Sequence, residues 1–357
     1  MTCHAGVIPP LSTILASCLV FSACGASSES GPAAAASGGA AGAASASGGA
    51  AGAASASGGA AGAVASAGSG GGAANSPLVG SFQVKLSPAS ASAEASANVV
   101  GKVYDGPTPA AIVWENPRVD GACVLTTPRA PFCSTPCGGS SVCIEDDTCL
   151  PYPTSRGVGP VTVTGLKTTT GEASFIMTAI ANTYQPSASV TLAFPPFAEG
   201  EPLTFAAAGD YFPAFSLTNY GILPLALSST ELTLKSGQPL NLSWLKGASG
   251  IATVHVKLDI SHHGGSKGQI ECDASDSGAL SISAALLTQL LGLGVAGFPT
   301  VIVTRQAVAS TAIAAGRVEL VVSSVVEHAV SIDGLTSCTA TEDCPSGQVC
   351  QSDLTCK

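Results

Sequence analysis

The sequence predicts an all-β chain: an antiparallel β-sandwich with one short helix and two small disulfide-rich modules. Three observations carry this. From Leu78 onward, short runs of mixed apolar and polar residues follow one another between Gly, Pro and Asn turns. Only 10% of the residues are charged, while prolines number 23. Ten cysteines lie between Cys123 and Cys356, most of them in two matched clusters.

The runs can be read in order. SFQVKLSP alternates, NVVGKVYDGP ends in a turn, and AAIVWENP follows. After the first cysteine cluster come PVTVTGL, EASFIMTAI, SVTLAFPPF, PLTFAAAGDYFPAFSL, ELTLKSG, PLNLSWLKG, ATVHVKLDI, GQIECDA, PTVIVTRQAV and GRVELVVSSVV. SAALLTQLLGLG breaks the pattern as a helix. Ser283 caps its start, Leu286, Leu287, Leu290 and Leu291 form its apolar stripe, and Gly292 or Gly294 ends it.

The chain before Leu78 has a different character. Residues 25–76 are almost wholly Ala, Gly and Ser, and the decamer SGGAAGAASA starts at Ser37 and again at Ser47. Recurrent glycine pairs interrupt any helix that alanine would favour. A flexible coil of about 50 residues spans roughly 40 Å on average, so the segment reads as a tether. Ahead of it, the apolar run from Leu11 to Phe21 is too short to span a bilayer and has the length of a signal-peptide core. The expected organisation is a signal peptide at 1–23, Cys24 and a linker at 24–77, a sandwich at 78–336 with a disulfide-rich insertion at 123–150, and a C-terminal module at 337–357.

Cysteine arithmetic supports an exported chain. Cys3 and Cys18 leave with the signal and Cys24 stands at its end, so an even ten remain. CGGSSVCIEDDTC at 137–149 and CPSGQVCQSDLTC at 344–356 share the spacing C-x5-C-x5-C. Both have Val before the middle cysteine, Asp three after it and Thr before the last. Cys133 and Cys338 complete two four-cysteine sets, each of which allows three connectivities. So small a unit cannot build an apolar core and needs bridges. C-x5-C is wide for a zinc knuckle, and export favours oxidation. Cys123 and Cys272 are left over, and parity pairs them.

Resemblances add to this reading. VFSAC resembles the bacterial lipobox, which implies lipidation at Cys24. Gly25, in place of Asp, implies sorting to the outer membrane or cell surface. The cysteine clusters resemble small units of the Dickkopf N-terminal kind. That resemblance implies crossed pairing: Cys133–Cys143 with Cys137–Cys149, and Cys338–Cys350 with Cys344–Cys356. GDYFPAF, GQPLNLSW, IECDASDSGALSISAALLTQL, TRQAV and AAGRVEL resemble, in that order, segments of exported bacterial lipoproteins with Ala/Gly/Ser-rich tethers and Ig-like or fibronectin-like sandwiches. The match covers roughly residues 200–335 and implies architecture, with no activity or site attached.

The stretch LDISHHGGSK at 258–267 is the one segment that looks catalytic. It resembles the HHGS segment of metallo-β-lactamase-fold hydrolases. That fold needs an upstream H-x-H-x-D-H cluster, and residues after Cys24 hold only His255, His262, His263 and His328. ATVHVKLDI places His255, Lys257 and Asp259 on one strand face and Val254, Val256, Leu258 and Ile260 on the other. SHHGGSKG then reads as a polar turn between strands. No G-x-S-x-G, H-E-x-x-H or phosphate loop occurs. The clustered acids of IEDDT and CDASDSG follow no EF-hand pattern. A net charge of −10 without a basic patch excludes nucleic acid. Trp114 and Trp244 sit in strand runs and read as core, and NLS at Asn241 is a sequon without evident use.

The functional expectation is a non-catalytic cell-surface lipoprotein, with no metal, no cofactor and contact with the membrane through the lipid alone. It would present the sandwich and its two modules to a protein or glycan partner. The alternatives are a carbohydrate-binding module, which needs aligned exposed aromatics among only 5% aromatic residues, and a secreted hydrolase using His262 and His263.

Overall fold

The computed structural model describes residues 75–90, 93–229, 231–248, 250–261 and 267–357. The signal segment, Cys24 and most of the linker lie outside the described residues, as do His262 and His263.

Alternation of apolar and polar residues sets the strands. In β1 (Leu78–Ser87), Phe82, Val84 and Leu86 are buried and the residues between them face outward. Next come β2 (Ser96–Val103), β3 (Val113–Asp120), β4 (Cys123–Arg129) and a separate hairpin of β5 (Ser141–Glu145) and β6 (Thr148–Pro151). The chain continues through β7 (Val161–Thr164), β8 (Ser174–Met177), β9 (Ala179–Ile180), β10 (Thr183–Tyr184), β11 (Pro202–Ala207), β12 (Phe215–Tyr220), β13 (Thr233–Leu234) and β14 (Leu240–Ser243). It closes with β15 (Thr253–Asp259), β16 (Gln269–Ser275), β17 (Ala279–Ile282), α1 (Ala284–Gly292), β18 (Thr300–Ile313), β19 (Gly316–Ala329) and β20 (Ser331–Ile332).

A ten-stranded sheet runs β3-β4-β16-β15-β18-β19-β1-β2-β10-β9, and a four-stranded sheet runs β12-β11-β7-β8. The fold is therefore an all-β, sandwich-like one, with one correction to the antiparallel expectation. β1 lies parallel to β19, and β13 lies parallel to β20. Strands so far apart in sequence are free to pair parallel, because the intervening chain supplies the crossover.

Two apolar cores share the long hairpin β18–β19. The first lies among β1, β2, β19 and the four-stranded sheet, with Phe82, Phe205, Tyr184 and Leu320 at its heart. The second lies among β4, β15, β16, the start of β18, β14, β17 and α1. In α1, Ser283 Oγ accepts from Leu286 N, and Leu286, Leu287 and Leu290 are buried. Gly101 is required where it stands. It pairs with Phe82 across β1–β2, and a Cβ there would lie 2.2 Å from the Phe82 ring.

Two expected strands and one expected boundary differ. SVTLAFPPF contributes only a Thr168–Leu192 bridge, because Pro195 and Pro196 lack the N–H a ladder needs. PLTFAAAGDYFPAFSL divides into β11 and β12 around Gly209, whose φ of 93° makes the turn. Cys123–Arg129 belongs to the main sheet, paired with β16, so the first disulfide module begins beyond Arg129.

Candidate functional site

The seam between the two cores is polar. Along β18 the inward positions are Val301, Val303, Arg305 and Ala307, and Arg305 falls where one core gives way to the other. Its guanidinium is fully buried. Nε donates to Asp276 Oδ2 at 2.8 Å and Nη2 to Asp276 Oδ1 at 3.1 Å. Nη1 donates to Leu223 O at 3.0 Å, and Nη2 also donates to Leu245 O. Asp276 accepts further bonds from Trp244 Nε1 at 2.7 Å and Gly247 N at 3.0 Å. Burial pushes the Asp276 carboxyl up, but the bonds from Arg305, Gly247 and Trp244 outweigh it and hold the group below the usual carboxylate range. Directly across the ladder from Arg305, Ser324 accepts from Leu225 N at 2.8 Å. Each polar atom is engaged within the protein, so this cluster fastens the lobes together and offers nothing to a ligand.

Asn219 makes a second tie of this kind. Its buried amide donates to Ala307 O at 2.9 Å and Leu320 O at 2.8 Å, joining β12 to the central hairpin.

Strand β15 has the expected two faces. Val254, Val256, Leu258 and Ile260 are buried, while His255, Lys257 and Asp259 sit half-buried on the other side. His255 Nδ1 lies 2.9 Å from Asp273 Oδ1 on β16, and Nε2 lies 4.0 Å from Glu271. The Asp273 bond raises the His255 pKa against the opposing effect of burial. Asp259, three residues before the paired histidines, bonds the end of its own strand run. Its Oδ1 accepts from Ser261 N at 2.8 Å and from Ser261 Oγ at 3.0 Å, and Ser261 Oγ accepts from Lys267 N at 3.0 Å.

The ten cysteines form five bonds: Cys123–Cys272, Cys133–Cys143, Cys137–Cys149, Cys338–Cys350 and Cys344–Cys356. Cys123 and Cys272 face each other directly across β4–β16, their Cα atoms 4.0 Å apart, with both side chains buried. Within each module three sulfurs lie within 4.8 Å of one another, a cluster that thiolates could turn on a metal. Here those sulfurs are committed to disulfides.

The two modules meet the sandwich differently. In the second, Cys338 is 1%, Thr355 0% and Cys356 8% exposed. Gly297 N donates to Asp353 O at 2.7 Å, and Ser337 Oγ donates to Gly297 O at 2.8 Å. Lys357 Nζ, at 2.5 Å, and Thr355 hold the Asp353 carboxyl down to about 2. In the first module the matching Thr148 and Cys149 are exposed. Arg129 ties its base, bonding Glu115 at 2.5 Å and Asp146 at 2.6 Å.

Aromatic rings are dispersed. Trp244 is buried and Trp114 half-buried, while Phe132, Tyr152, Tyr211 and Tyr220 are exposed. Tyr211 stacks edge-on to Phe212 and lies under the Arg156 guanidinium at 4.5 Å. Two shallow grooves, of about 280 and 270 Å³, are lined by Asn241–Ser243 with Ala279–Ser281 and by Pro213–Phe215 with Ala312–Ala314, without an ionisable side chain. Asn241 projects into solvent from β14. Sequence reasoning missed the seam. Trp244, Asp276 and Arg305 lie in three separate segments, and no spacing in the sequence links them.

No protein-family model and no curated protein matches the chain. Among solved structures, the crystal structure of chicken CNTN1 FN1–FN3 domains matches with 11% identity and a TM-score of 0.17, covering 66% of this chain and 73% of that one. A superposition that loose carries no argument.

Proposed function

We propose that the chain is a non-catalytic surface lipoprotein, anchored through Cys24 and raised on its Ala/Gly/Ser linker to present binding modules. The observation that supports this best is the polarity of the fold. The chain enters the sheet at the tip of the β18–β19 hairpin, where Arg317 N donates to Pro77 O and a Cβ on Gly316 would lie 2.3 Å from that oxygen. At the other end of the hairpin, Thr126, Gln269, Asp259, Thr300 and Ala329 form one row across five strands. The first disulfide module follows β4 beyond that row. The second module bonds to Gly297, just before β18. About 40 Å of strand separates this row from the entry point. An anchor at one end and disulfide-held modules at the other is an arrangement for display.

The test is fractionation of cells with intact-cell proteolysis. The native chain is expected in the membrane fraction and open to added protease, and Cys24→Ala is expected in the soluble fraction. Retention of Cys24→Ala on the membrane, or full protection of the native chain, would contradict the reading.

A further inference from the structure

We propose that the outer edge of β6 in the first disulfide module is a docking site for a short extended segment of a partner polypeptide, which it takes up as an added strand. The proposal deepens the binding reading above, on which it rests for its biological role, but not for its chemistry.

The duplication supplies the argument. Asp147 and Leu354 occupy the same place in the two clusters and share a left-handed backbone, with φ of 57° and 60°. Val142 and Leu150 pair in the first module as Val349 and Lys357 do in the second. The modules thus share a hairpin, but its last strand has different neighbours. In the second module, Cys356 N donates to Thr336 O at 2.9 Å and Cys338 N to Leu354 O at 3.0 Å, with Ser337 facing Thr355. The lead-in segment Thr336–Cys338 therefore lies along that strand as a third one. In the first module β5 and β6 form a two-stranded sheet, and Thr148 and Cys149 on β6 are exposed.

The lead-in of the first module has been diverted. Its first two cysteines are separated by three residues, against five in the second module. Asp146, held by Arg129, accepts from Phe132 N at 3.0 Å, and Phe132 O accepts from Asp147 N at 3.0 Å. The lead-in thus caps the β5–β6 turn and leaves the edge that its counterpart covers. An unpaired edge of this kind is a template for strand addition.

The surroundings define the occupant. Phe132, 72% exposed, lies at one end of β6, and Tyr152, 54% exposed, at the other. Glu145, Asp146 and Asp147 stand at the Phe132 end, and Arg129 is the one cation in residues 129–151. Pro151, at the next outward position after Cys149, has no N–H, so the added strand makes two backbone bonds, the number made in the second module. The fitting partner segment is extended and short, apolar against the two rings, and basic at the end that meets Glu145–Asp147.

The probe is a synthetic heptapeptide of residues 334–340 carrying Cys338→Ser and Ala340→Lys. It is titrated into the 15N-labelled full chain bearing Cys24→Ala. The expected result is saturable shifts of the Thr148, Cys149 and Leu150 amides, weakened at least threefold without the added lysine and at least fivefold by Phe132→Ser with Tyr152→Ser. Unmoved amides at millimolar peptide would overturn the proposal, as would a Cys149 amide already protected from exchange in the free protein. Shifts of the same amides with protein concentration alone would overturn the partner segment in favour of a second copy. Membrane retention of the native chain is read separately, so a failed titration with retention intact sinks this inference and leaves the anchored display reading standing.

Discussion

Arg305 and Asp276 meet in the seam between the two apolar cores, joined by bonds of 2.8 and 3.1 Å on a side chain with no exposed surface. Removing one partner leaves a buried charge without compensation, which costs roughly 3–5 kcal/mol. Asp276→Asn is expected at the lower end of that range, because an amide keeps part of the geometry, and Arg305→Leu at the upper end. Denaturant unfolding checks this, with Trp244 fluorescence as a local reporter through its bond to Asp276. The double variant Arg305→Leu with Asp276→Leu is expected to cost less than the two single effects added together.

The pair of His255 and Asp273 predicts a dependence on pH. The bond that His255 donates to Asp273 raises His255 above its ordinary value near 6.5. The stability it contributes is therefore fully present below about 6.5 and is lost as pH rises through the higher folded value. Asp273 is lowered by the same bond, so its share is present above the ordinary carboxylate range and lost as pH falls through the lower folded value. Melting temperature measured between pH 5 and 8.5 is expected to decline at the alkaline end, and to flatten there in His255→Gln. An unchanged slope in that variant would remove His255 from the account.

Gly101 predicts a steric effect. A Cβ at this position would lie 2.2 Å from the Phe82 ring. Overpacking a core by a methyl group costs about 1–3 kcal/mol. Gly101→Ala is expected to destabilise by that amount, and Phe82→Leu is expected to recover part of the loss when combined with it. Thermal melts of the three variants measure the coupling.

Burial orders the reduction of the disulfides. Cys149 is exposed and Cys133, Cys137 and Cys143 are partly so, whereas Cys123 and Cys272 are buried in the sheet. Limited reduction followed by alkylation and peptide mapping is expected to label the first module first and Cys123–Cys272 last. The chain-entropy estimate for a bridge closing about 150 residues is roughly 4–5 kcal/mol. That is an upper figure here, because the inner bridges already restrict the unfolded chain. Cys123→Ser with Cys272→Ser is expected to lower stability by a large fraction of it.

Local pattern made much of this fold legible. Alternation in ATVHVKLDI sorted Val254, Val256, Leu258 and Ile260 from His255, Lys257 and Asp259, because a pleated strand sends neighbours to opposite faces. Ser283 and the leucines after it marked the helix by the same kind of local rule. Relations between distant residues were not legible. The parallel pairing of β1 with β19 joins opposite ends of the described sequence at the middle of the sheet, and no spacing announces it. Arg305 stands in a run, PTVIVTRQAV, that reads as an ordinary half-buried strand, and burial of its guanidinium depends on Asp276 arriving from another strand end. The difference between the two modules showed in the sequence only as three residues against five between their first two cysteines, which does not say which edge the lead-in covers.

The proposed anchoring rests on Cys24 as the residue that would carry the lipid. Mass spectrometry of the mature N-terminal peptide, recovered from membranes of cells making the native chain, tests it directly. The account predicts a peptide that begins at Cys24 and carries the added mass of lipid acyl chains. An unmodified peptide that begins at another residue, or one that retains residues 1–23, would contradict it.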